Sequence, residues 1–148
     1  MHYQNEVEIH VPREHVIQLF DNPDNMKHWQ PGLLDYEPLD NKSGQVGAQT
    51  RLRFKMRNKE MEMTETVLKK ELPELIETSY ETKGVYNVVC NRFISLDDHK
   101  TQWISQNEFK FDSFMMKLFG ALMPGMFKKQ SQHYMDLFKE FAESRHQS

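Results

Sequence analysis

Three observations predict an α+β protein in which a curved antiparallel sheet of about seven strands grips one long C-terminal helix. The chain opens on a strict two-residue alternation of apolar and polar side chains. Turn residues then punctuate the middle of the chain at short, regular intervals, as hairpin-linked strands require. Near the end, Tyr134, Leu137, Phe138 and Phe141 recur at helical spacing. A long amphipathic helix must bury that stripe, and the sheet is the only large partner on offer.

The elements follow in order. Val7, Ile9 and Val11 alternate with Glu6, Glu8 and His10, which describes a half-buried strand. Pro12 stops it and suits the first turn of a helix bearing Val16, Leu19 and Phe20. Asp21-Asn22-Pro23 breaks that helix, and a short second one carries Met26 and Trp29 on one side until Pro31-Gly32. Leu34, Tyr36 and Leu39 suggest the next strand. Leu52, Phe54 and Met56 alternate with Arg53, Lys55 and Arg57, and Asn58-Lys59 reads as a turn. Met61, Met63, Glu65 and Val67 form one face of the following strand. Leu72-Pro73, Lys83-Gly84 and Asp97-Asp98-His99 separate three more strands, the last ending at Phe111. Ser113 to Phe127 reads as helix with a break near Pro124-Gly125, and the final helix follows.

The 148 residues make one domain, able to bury a substantial core. Mean hydropathy is −0.77 and no apolar run approaches the ~20 residues of a membrane-spanning helix. The opening MHYQNEVEIH lacks a signal-peptide core, so the expected location is the cytoplasm. A net charge of −3 speaks against nucleic acid as a partner. The single Cys90 excludes an internal disulfide and a multi-cysteine zinc site. Seven histidines are scattered without metal-ligand spacing, and no phosphate loop, dinucleotide fingerprint or nucleophile elbow occurs. No metal or other cofactor is therefore expected.

The segment Asp21-Asn22-Pro23 through Trp29-Gln30-Pro31-Gly32 resembles the D-P…W-x-P-G stretch that follows the first helix in the SRPBCC superfamily. Thr101-Gln102-Trp103 with Asn107-Glu108-Phe109-Lys110-Phe111 resembles that group's last strand, and Phe127-Lys128-Lys129 through Leu137-Phe138-Lys139-Glu140-Phe141 its last helix. The resemblance spans essentially the whole chain. It looks closest to bacterial polyketide-cyclase-like proteins of unassigned activity, and related groups include START domains, birch-pollen-allergen-like proteins and activators of a heat-shock chaperone ATPase. It implies a helix-grip fold with a hydrophobic ligand, such as a lipid, polyketide or aromatic metabolite, held between sheet and final helix. Such a fold carries both binders and enzymes, so it leaves the function open.

Turn positions set a register, and the register sets cross-strand neighbours. A two-residue turn at Asn58-Lys59 pairs Met56 with Met61, Phe54 with Met63 and Leu52 with Glu65. One at Leu72-Pro73 pairs Glu65 with Tyr80 and Val67 with Thr78. One at Lys83-Gly84 pairs Tyr80 with Asn87 and Thr78 with Val89. A three-residue tip at Asp98 to Lys100 pairs Asn91 with Asn107 and Val89 with Phe109. All of these, with Trp103, share one face. The expected cavity is apolar and Met-rich, closed by Met123, Phe127 and Tyr134 from the helical region. It has two polar clusters, Glu65–Tyr80–Asn87 and Asn91–Ser105–Asn107. A methionine stripe is ordinarily plain core, but it also suits a wall that adapts to a ligand.

Glu65 is the sharpest residue, since a carboxylate on an apolar face is costly unless partnered. It either sits wet at the sheet rim, or is turned outward by a bulge, or faces inward; facing inward it would bind a ligand hydroxyl, or exchange protons with help from Tyr80 in a cyclase or dehydratase. One candidate acid does not make an active site, so the sequence favours binding over catalysis; a protein-interaction module is the third reading. The stretch from Phe114 to Met123 is apolar nearly all round, which suggests a ligand gate, a homodimer contact through 114–127 or a membrane-touching patch, unless the two N-terminal helices cover it. Met116, Phe119 or Met123 is expected to be partly exposed.

Overall fold

The computed structural model describes residues 1–56, 58–119 and 124–147, without the side chains of Met56, Leu118, Phe119, Pro124 and Gln147. The strands are β1 (His2–Ile9), β2 (Leu33–Pro38), β3 (Gln49–Met56), β4 (Lys59–Glu71), β5 (Leu75–Thr82), β6 (Val85–Asp97) and β7 (Lys100–Phe111). The helices are α1 (Arg13–Phe20), a 3₁₀ helix (Pro23–His28), α2 (Ser113–Phe119) and α3 (Pro124–Gln147). The strands form one curved antiparallel sheet in the order β1-β7-β6-β5-β4-β3-β2. This is the helix-grip architecture, with α3 packed on β1 and its Phe127 and Phe138 rings meeting Phe109 and Trp103 of β7.

The alternation of β1 buries Ile9 completely, and Val11 beyond it, while His2 and His10 stay exposed. Pro12 precedes α1, which buries Val16. On α3, Phe138 and Ala142 are fully buried and Met135 nearly so. Tyr134, Leu137 and Phe141 are half-buried beside them. Residues four and seven apart thus define the buried stripe, and Met135 rather than Tyr134 lies at its centre. Rings of Phe20, Trp29, Phe93, Trp103 and Phe138 meet at centroid distances from 5.0 to 6.0 Å. In β2 Tyr36 and Pro38 turn toward the inner face; Leu34, and Leu39 just past the strand, are exposed, as an edge strand with a register shift after Leu33 permits. Gly32, at φ 91°, leads into β2 so closely that a Cβ there would stand 2.6 Å from the Lys55 carbonyl oxygen.

Two hairpin registers differ from expectation by an even slide. The β3–β4 hairpin closes on Met56–Lys59, so Phe54 pairs with Met61, Leu52 with Met63 and Thr50 with Glu65. The β6–β7 hairpin closes on Asp97–Lys100 with an irregularity after Ser95, so Asn91 pairs with Ser105, Val89 with Asn107 and Asn87 with Phe109. A slide of two residues changes partners but keeps faces. The expected pairs Glu65–Tyr80, Val67–Thr78, Tyr80–Asn87 and Thr78–Val89 all occur. The first two arise from two shifts that cancel. The β4–β5 turn spans three residues between Glu71 and Leu75, and the register shifts by one between Val67 and Lys69.

Phe114 and Met116 of α2 and Met126 of α3 are exposed, in line with the expectation for Met116. Met123 and the side chain of Phe119 lie outside the described residues. Among the described residues no helix is long and apolar enough to cross a membrane.

Candidate functional site

The inner face of β3 to β6 continues past the end of the aromatic core and is roofed there by the 3₁₀ helix, not by α3. Between them lies a cavity of about 190 Å³. Phe20, Met26 and Trp29 line it from the roof; Leu52, Val67 and Ile76 line it from the sheet. Tyr36 and Pro38 close one side, and Glu65, Thr78, Tyr80 and Asn91 supply polar groups. The roof forms because Asn22 caps the 3₁₀ helix through a hydrogen bond from the Asp24 amide, with Pro23 at its first position. Met26 and Trp29, one 3₁₀ turn apart, therefore point the same way. Tyr36 Oη donates to Asp24 Oδ1 at 2.6 Å and ties the roof to β2.

Glu65 and Tyr80 are directly opposed across β4 and β5, which sets the Tyr80 phenol beside the Glu65 carboxyl. Burial raises the Glu65 carboxyl above its ordinary range, and the neighbouring Tyr80 hydroxyl opposes that rise. Burial, together with the neighbouring Glu65 charge, pushes the Tyr80 phenol well above its ordinary value. Tyr80 thus stays protonated as a donor, and Glu65 is an acceptor whose proton is held more tightly than usual. Asn91 is oriented by Trp103, whose Nε1–H donates to Asn91 Oδ1 at 2.9 Å. The buried Trp29 Nε1–H has no acceptor among the described residues.

Lys70 is the residue the sequence reading missed. The shift after Val67 sets Lys70 opposite Ile76, so it, rather than Lys69, reaches the cavity rim. There Lys70 Nζ donates to the Gly44 carbonyl oxygen at 2.8 Å and meets Asp21 Oδ2 at 3.3 Å. The adjacent apolar pair Val67-Leu68 was the signal, because it breaks the alternation of β4.

Of the residues singled out in sequence, Glu65, Thr78, Tyr80 and Asn91 come together at this cavity. Phe54, Met61 and Met63 follow one another along the neighbouring edge of the inner face. Trp103 lies in the solid core. Asn87, Asn107, Phe109 and Phe127 gather instead beneath the start of α3. Asn87 Nδ2 donates to Asn107 Oδ1 at 3.2 Å, and the rings of Phe109 and Phe127 are 5.1 Å apart. Val89 sits between the two groups on β6, and the Tyr134 hydroxyl accepts from Gln130. The side chain of Met56 and all of Met123 lie outside the described residues. Asn87 is thus Tyr80's strand partner but hydrogen-bonds away from the Glu65 pair, toward Asn107 and the Glu108 carbonyl oxygen.

A wider groove of about 520 Å³ opens on the outer face of the sheet, lined by polar side chains such as Gln4, Glu77 and Gln106 with Cys90. Burial raises the Cys90 thiol, which disfavours the reactive thiolate. Among the described residues no group of three or more His, Cys, Asp and Glu could hold a metal ion.

No family model and no curated protein matches this chain in sequence. Solved structures do match it in shape. An aromatase/cyclase from a Streptomyces species superposes with a TM-score of 0.77 at 18% identity, covering 98% of this chain and 94% of that one. Norcoclaurine synthase from Thalictrum flavum, in complex with dopamine and hydroxybenzaldehyde, gives 0.67 at 15% identity, covering 95% and 85%. A conserved protein from Geobacillus kaustophilus gives 0.81 at 10% identity, covering 97% and 96%. The chain has the helix-grip fold of the SRPBCC superfamily.

Proposed function

We propose that this protein binds a compact hydrophobic small molecule in the cavity beneath the 3₁₀ helix, with Glu65 and Tyr80 as its polar anchor. The observation that carries the reading is one carboxylate–phenol pair set beside Leu52, Val67 and Ile76 of the sheet and beneath the rings of Phe20 and Trp29. Small-molecule sites share that composition. A carboxylate in a partly buried cavity weakens the fold, and a ligand that engages it offsets the cost. At about 190 Å³ the space is comparable to the ~150 Å³ cavities that take a single benzene ring. That size favours one ring system over a lipid tail or a folded polyketide chain. The complex of norcoclaurine synthase with dopamine and hydroxybenzaldehyde, both single-ring molecules, supports the same direction.

The Glu65–Tyr80 pair also supports a second reading, in which Glu65 takes a proton from the bound molecule while Tyr80 steadies the developing charge. Binding is common to both. Titration of nitrogen-15-labelled protein with 1-naphthol tests it. Saturable shifts are expected at the Trp29 indole N–H and the backbone amides of Glu65 and Tyr80. Shifts confined to the outer face of the sheet, or no saturable shift, would overturn the proposal.

A further inference from the structure

We infer that the cavity selects a compact aromatic amine, a single ring on a short tether ending in a protonated nitrogen that sits on Glu65. This rests on the cavity being a ligand site and specifies its charge preference. Two carboxylates and one ammonium line the cavity. Lys70 is committed at the rim, to Asp21 and the Gly44 carbonyl. Glu65 has no cationic partner among the described residues; the group opposed to it is the neutral phenol of Tyr80. The cavity therefore holds one half-buried carboxylate with no cation beside it.

The walls agree with this polarity. Phe20, Trp29, Tyr36 and Tyr80 contribute aromatic rings to the lining, and ring faces attract ammonium groups. A carboxylate ligand would place like charges together in a space of lowered dielectric. A neutral alcohol would fit but leave the Glu65 charge unanswered. Beside Glu65, the titratable and charged groups that face the cavity are Tyr80, Tyr36, Asp21 and Lys70. Tyr80 and Tyr36 are both held above the ordinary phenol value, so neither adds negative charge near neutrality.

Calorimetric titration of the full chain with 2-phenylethylamine, 2-phenylethanol and 3-phenylpropanoate at pH 7.5 tests the inference. The amine is expected to bind about tenfold tighter than the alcohol, and the acid weakest. Glu65→Gln should bring amine and alcohol to within about twofold while the alcohol keeps its affinity. In the unaltered protein, amine affinity should fall as acid protonates Glu65, above the ordinary carboxylate range, and alcohol affinity should not; this profile stands even where the variant folds poorly. Alcohol binding as tight as amine binding overturns the charge preference and leaves the cavity proposal standing. Loss of the preference in Asp21→Asn but not in Glu65→Gln moves the cation to the rim and overturns the assignment to Glu65. Failure of all three probes to bind overturns this inference together with the cavity reading.

Discussion

One sheet has two differently filled halves. Under α3, five aromatic rings and the fully buried Ile9, Val16 and Ala142 close the space between helix and strands. Under the 3₁₀ helix, the same concave surface carries Glu65, Thr78 and Tyr80 and stays partly empty. The difference lies in the cover. A long helix presents a continuous apolar stripe, which can fill a groove; a six-residue 3₁₀ helix and its C-cap present only Pro23, Met26 and Trp29 on one face and cannot. Phe20 and Trp29 stand on the boundary, touching core rings while lining the cavity. One surface thereby carries a solid core at one end and an open cavity at the other.

The largest expected effect belongs to the filled half. Phe138 is fully buried, so Phe138→Ala should cost about 3–5 kcal/mol in urea unfolding. A loss under about 1 kcal/mol would mean that α3 does not carry the core. A paired substitution sharpens the contrast. Ala142→Leu should cost about 1–3 kcal/mol by overpacking. Ala48→Leu, at the cavity wall, should stay within about 0.5 kcal/mol of the parent and compete with ligand. The reverse order would show the hollow half to be the solid one.

The smallest effect is electrostatic. Burial raises the Glu65 carboxyl in the folded state, so the folded chain holds that proton more tightly than the unfolded one. Stability then declines as pH rises from the ordinary carboxylate range through the raised value, and levels off above it. Glu65→Gln removes that decline. Its melting temperature relative to the parent should climb across the window and end slightly higher at neutral pH. A parent that gains on the variant as pH rises would mean the charge is already compensated in the fold.

The faces of the strands were legible because alternation depends only on parity. Met61, Met63, Glu65 and Val67 stay on the inner face even though the β3–β4 hairpin slides by two residues. The Glu65–Tyr80 pair was legible for a less secure reason, since a longer turn and a register shift offset each other. Lys70 was not legible, because the shift that turns it inward leaves only the Val67-Leu68 pair as a mark. Nor was the location of the cavity. Met63, Trp103 and Phe109 are inner-face residues, yet which of them meets empty space depends on where α3 lies. No local pattern encodes that placement.

The rim contact between Lys70 and Asp21 has a consequence for exchange kinetics. It links β4 to the residue just after α1 and lies at the edge of the cavity, with the Asp21 side chain 42% exposed. If the cavity takes an uncharged occupant as proposed, a rim pair that makes no bond to that occupant holds the entrance equally, empty or full. Loosening it quickens entry and departure by the same factor, so for an uncharged occupant the dissociation constant is unchanged. Because the pair is partly exposed, dissolved salt weakens it. Ionic strength would then set how long a neutral molecule stays inside without altering how much is held at equilibrium.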